Sequence, residues 1–76
     1  MFRKEGRNYV AYYCERGREL VEIYQSRWNA AANARPGDVI TKVVGPYPGE
    51  GWHALRWVKE ENGGLRLLRG DVGRTA

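Results

Sequence analysis

The residues in this chain that could carry out chemistry are few and scattered: one histidine, His53, one cysteine, Cys14, and the adjacent pair Glu60-Glu61. A general base needs an orienting partner and a nucleophile within reach. The stretch Gly51-Trp52-His53-Ala54-Leu55 supplies neither, so His53 reads as a strand residue. Cys14 would be driven toward the thiolate if Arg16 and Arg18 pointed at it, but Glu15 opposes them, and it reads as a plain strand cysteine. One Cys and one His have no metal-ligand spacing. Carboxylate catalysis needs two groups facing across a cleft, which turn neighbours such as Glu60 and Glu61 do not provide. Neither glycine-rich phosphate motif is present, and the segment from Gly45 to Gly51 lacks Lys and Ser. The expectation is a protein with no catalytic residue, no metal and no cofactor.

What remains is chemistry of contact. Ten of the thirteen basic residues are Arg, and the net charge is +4. Arg favours planar, bidentate contacts with carboxylates and phosphates. If Arg16-Gly17 closes a two-residue hairpin loop, Tyr13 faces Leu20 and Tyr9 faces Tyr24. Tyr9, Tyr13 and Tyr24 then share one face, while Val10, Tyr12, Val21 and Ile23 form the core face. Exposed rings on a sheet stack on bases, at about 1–3 kcal/mol each, or anchor protein interfaces. If Asn62-Gly63 closes the last hairpin, Lys59 opposes Arg66 and Arg56 opposes Arg69. Opposed like charges are unfavourable, and an acidic partner or solvating water must offset them. The expected contact set is therefore Arg56, Lys59, Arg66, Arg69, Tyr9, Tyr13, Tyr24 and the loop residue Tyr47. The expected partner is a protein or nucleoprotein complex, with direct nucleic-acid binding as the alternative.

The elements that position these residues follow from punctuation. Apolar runs are separated by Arg16-Gly17, Pro36-Gly37, Pro48-Gly49 and Asn62-Gly63-Gly64. Tyr9–Cys14, Leu20–Tyr24, Val39–Val44, Trp52–Lys59 and Leu65–Arg69 read as strands. Ser26 is a good N-cap for the Ala-rich run Arg27–Ala34, with Trp28, Ala31 and Ala32 on one face and Trp28 as the anchor. Pro36 and Gly37 end that helix. A single helix over 18–34 is a competing reading, since Leu20, Ile23, Tyr24, Trp28 and Ala31 also fit helical spacing. The β-branched Val21 and Ile23 and the Ser26 cap favour a strand, a break and a short helix. The fold class is α+β: a small, twisted, mostly antiparallel sheet with one short helix packed on one face, in the order β-β-α-β-β-β.

At 76 residues the chain is one domain, with 1–8 and 70–76 read as loose arms. A single cysteine rules out an intrachain disulfide, so three Trp and five Tyr must supply the buried area, or a homodimer must. No run approaches the length of a membrane span and no leader pattern is read. One free thiol suits a reducing compartment, so a cytoplasmic protein is expected, monomer or homodimer.

The sequence YVAYYCERGRELVEIY, then SRWNAAANARPGDVI, then WHALRWVKE with GLRLLRG, resembles small phage-encoded inhibitors of the anti-CRISPR type in size and element order. The resemblance spans most of the chain and matches no site motif. It implies a stoichiometric inhibitor that docks on a host nucleoprotein complex such as a CRISPR effector. It transfers no residue role.

Overall fold

The computed structural model describes residues 3–47, 50–68 and 73–74. Among them are seven strands and one helix: β1 (Arg3–Glu5), β2 (Asn8–Arg16), β3 (Glu19–Tyr24), α1 (Arg27–Asn33), β4 (Val39–Tyr47), β5 (Glu50–Lys59), β6 (Leu65–Leu68) and β7 (Gly73–Arg74). All pairings are antiparallel, in the order β1-β2-β4-β5-β6, with β3 also on β2 and β7 also on β5. The class is α+β, and the five expected strands are β2 to β6. The difference lies at the ends, where Arg3–Glu5 and Gly73–Arg74, read as loose arms, each pair with a long strand. No helix among the described residues is long and apolar enough to cross a membrane.

The single helix over 18–34 does not form. Glu19–Tyr24 is a strand and α1 begins at Arg27, where Ser26 Oγ accepts the Asn29 N–H at 3.1 Å. The helix stops at Asn33 because Ala34 is already extended (ψ 146°), ahead of the Arg35-Pro36 bond that disfavours helical backbone. Gly37, at φ 92°, then turns the chain into β4.

The first hairpin closes one residue later than expected. Arg16 pairs with Glu19, so Gly17-Arg18 is the loop, and the positive φ falls on Gly17 alone, as a type II′ turn requires. Farther along, the register shifts between Cys14 and Glu15 and skips Val21. Moving the loop keeps every side chain on its face; the bulge does not, because it changes the register by one. Tyr13 consequently pairs with Ile23 and Tyr12 with Tyr24. Tyr24 lies on the face opposite Tyr9 and Tyr13, Ile23 leaves the expected core face, and Val21 is exposed.

The sheet has two distinct faces, read as rows across the strands. On the helix-bearing face the rows are Val10–Val44–Trp52, Tyr24–Tyr12–Lys42–Leu55 and Glu22–Cys14–Ile40–Trp57–Leu67. On the face without the helix, called open although Ala11, Val43 and Thr41 are buried on it, they are Ala11–Val43–His53 and Ile23–Tyr13–Thr41–Arg56–Leu68. Ala30 of α1, Ile40 and Trp57 form the core cluster, with Tyr12, Tyr24, Ala31, Ala34 and Leu65 packed against it. Trp28 does not anchor the helix: it is 73% exposed, while Ala30 is fully buried. At about 100° per residue, Trp28 stands roughly 200° around the helix from Ala30. The large rings come up from the sheet, with Tyr12 and Trp57 at 6.4 Å between centroids, so the helix must present its small side to them.

Candidate binding face

Helix α1 lies across β2, β3 and β4, and at seven residues it is too short to cover the rest of the sheet. Toward β5 and β6, several large apolar side chains on the helix-bearing face remain partly exposed, although Trp57 itself is buried against Ala30. Trp52 (44% exposed) stands in the row of the buried Val10, Leu67 (50%) in the row of the buried Ile40 and Trp57, and Leu55 (40%) in the Tyr12–Lys42 row between them. Trp28, on α1, stands near Trp57 and Leu65. Four of the exposed large hydrophobic side chains thus stand on the helix-bearing side, where Trp57 pairs with Leu67 and lines a groove with Trp28. That groove has a volume of about 550 Å³, between α1 and the start of β6, and is lined by Arg27, Trp28, Ala31, Trp57, Lys59 and Leu65. The Arg27 guanidinium carbon sits 5.0 Å from the Trp28 ring centroid and 5.2 Å from that of Trp57. Lys59 Nζ donates to the Ala31 carbonyl, tying β5 to the helix. Both cations that line the groove are therefore held in place.

The expected contact residues do not gather into one patch. The last hairpin closes through residues 60–64, with Lys59 opposite Leu65, Val58 opposite Arg66 and Arg56 opposite Leu68. The shift by one from the expected register removes the opposed like charges and separates the cations. Lys59 lies on the helix-bearing face; Arg56 and Arg66 lie on the open face, where Arg66 Nε is 3.6 Å from Glu60. Arg69 lies outside the described residues. Tyr9 is half-buried on the open face, with Lys4 Nζ 4.7 Å from its ring centroid, and Tyr13 is half-buried in the Thr41–Arg56 row. Tyr24 is half-buried beneath the helix. Tyr47 is 65% exposed but sits at the end of β4, paired with Glu50, rather than in an open loop.

The sequence reading missed an ionic cluster built on a buried carboxylate. Asp38, 2% exposed, accepts from Arg16 Nε and Nη2, each at 2.9 Å, and from the Arg35 N–H at 2.9 Å. The Arg16 guanidinium, aided by the Arg35 N–H, holds the Asp38 carboxyl below the usual carboxylate range despite its burial. Cys14 Sγ donates to the same carboxylate at 3.7 Å. Burial, reinforced by the Asp38 charge, pushes the Cys14 thiol up, the opposite of what an activated nucleophile needs. Arg16 therefore points past Cys14 to Asp38. The cluster pins the β2 end to the turn that starts β4. The Asp after Pro36-Gly37 was the available signal, but its partner lies 22 positions away.

On the open face, Thr41 Oγ1 donates to Glu15 Oε1 at 3.2 Å. His53 stands in the Ala11–Val43 row. Among the described residues no three His, Cys, Asp or Glu side chains group as metal ligands. No family model, curated protein or solved structure matches the chain, which leaves its surface chemistry to carry the functional reading.

Proposed function

We propose that this chain is a non-enzymatic binding protein that docks on a larger protein or nucleoprotein assembly through its helix-bearing face. The observation behind this is the apolar surface of Trp28, Trp52, Leu55 and Leu67 beside Trp57, on a face the short helix half covers. Large apolar side chains gathered in contact with water on one face mark interaction sites. Trp and Arg are the side chains most enriched among interface anchors. The finer form of the proposal, an inhibitor of the anti-CRISPR type acting on a host nucleoprotein effector, rests on the resemblance in size and element order. Capture from source-cell lysate tests the proposal, with the wild-type chain and a Trp52→Ser, Leu55→Ser, Leu67→Ser variant as paired baits. The wild type should retain a partner that the variant loses while remaining folded. Equal retention by both baits removes this face from the account.

One observation favours direct nucleic-acid binding as a second reading. A groove of about 410 Å³ beside α1 is lined by Arg3, Lys4, Arg27 and Trp28, cations and a ring suited to phosphate and base, with Glu5 as an opposing carboxylate. Against it, Lys4 leans on Tyr9, and Arg56 and Arg66 face away. Binding of this kind weakens steeply with salt. An absence of any oligonucleotide shift at low salt eliminates it.

A further inference from the structure

We infer that the groove between α1 and β6 is the specific anchor point on this face, and that it takes a short acidic-apolar segment of a protein partner: a Trp, Phe or Leu side chain flanked by Asp or Glu. The inference rests on the proposed binding function and narrows it to a class of ligand. Two indoles, Trp28 and Trp57, line the groove together with Ala31 and Leu65, an apolar lining that suits one large apolar side chain. Its charge is of one sign. Arg27 and Lys59 line it, and among the described residues lining the groove there is no carboxylate.

Both cations are already oriented, Arg27 against the two rings and Lys59 on the Ala31 carbonyl. An incoming carboxylate therefore meets charges that need little reordering, which favours binding. Two cations beside an apolar slot match an acidic-apolar segment better than a nucleic-acid strand, whose phosphates need a continuous basic track. The cations of β5 and β6 are divided between the two faces instead.

Panning random short peptides displayed on phage against the immobilised full chain tests this, with Trp28→Ala and Arg27→Glu chains as parallel baits. Trp28 is mostly exposed, so its truncation should leave the fold intact, and circular dichroism checks that for both variants. The wild type should enrich peptides with an aromatic residue or Leu beside acidic residues. The synthesised consensus peptide should bind each variant about tenfold or more weakly, the scale on which truncating an interface anchor acts. Enrichment of neutral or basic peptides, no enrichment, or a consensus peptide indifferent to Trp28→Ala overturns the inference. So does oligo-dT binding more tightly than the consensus peptide. If panning fails while the lysate partner is still lost with Trp52, Leu55 and Leu67 replaced by Ser, the groove assignment falls alone. If that variant also keeps the partner, the binding face falls with it.

Discussion

Replacing Asp38 with Asn should strip the fold of a large part of its stability without changing its shape. Asp38 Oδ1 accepts Arg16 Nε, while Oδ2 accepts Arg16 Nη2, the Arg35 N–H and the Cys14 thiol. An amide offers one oxygen. Turned to keep the Arg35 bond, it sets its NH2 against Arg16 Nε; turned the other way, it faces the donors at Oδ2. At least one bond to a charged group is lost, at about 1.5–3 kcal/mol. A 76-residue domain has about 4–11 kcal/mol in total at typical stability per residue. A loss near 2 kcal/mol lowers the midpoint by about 8–16 °C in a domain this size. Thermal unfolding followed by circular dichroism at neutral pH reads it directly. The pH dependence supplies the sign. Because Asp38 is held below its ordinary range, its contribution is present above the unfolded-state value and is lost as pH falls through the folded one. The gap between wild type and Asp38→Asn should therefore close below about pH 4. A midpoint within about 2 °C of wild type at pH 7, or a gap that persists in acid, refutes the view that this carboxylate ties β2 to β4.

Other positions give independent checks. A methyl group at Gly45 would strike the Glu50 carbonyl, and one at Gly51 would strike the Val44 carbonyl at a φ of 139°; Gly45→Ala should cost more than about 4 kcal/mol and leave the chain largely unfolded, read by far-ultraviolet circular dichroism. Trp57→Ala removes the ring between the helix and β6 and should cost about 3–5 kcal/mol in urea unfolding. Cys14, buried and held as the neutral thiol, should react with a disulfide reagent only at the rate the protein opens, and stability should fall as pH rises past about 9, where the unfolded thiol ionises first.

The elements were legible because their signals are local. The Tyr- and Val-rich runs, the Gly and Pro turns and the Ser26 cap each act within a few residues, and they placed β2 to β6 and α1 in order. Register was not legible. It turns on the bulge at Val21 and on a five-residue connection after Lys59, and each moves pairing by one residue and exchanges faces. Nothing in Leu20-Val21-Glu22-Ile23 distinguishes the residue that will be skipped. Trp28 misled for a different reason. A ring in a short helix reads as an anchor, but here the sheet supplies the rings and the helix must supply Ala30. The apolar face followed from that reversal, so it was visible only in three dimensions. Asp38 was hidden by distance along the chain, since its partner Arg16 lies in a different hairpin.

Amide hydrogen exchange on the full chain, free and in complex with the protein that co-purifies with it, tests the central claim most directly. Binding through the helix-bearing face predicts added protection concentrated in α1, β5 and β6, around Trp28, Leu55, Trp57 and Leu67, with Ala11–Tyr13 at the middle of β2 little changed. Protection centred instead on Tyr9, Tyr47 and the β1–β2 hairpin, with α1 and β6 unaffected, would contradict it.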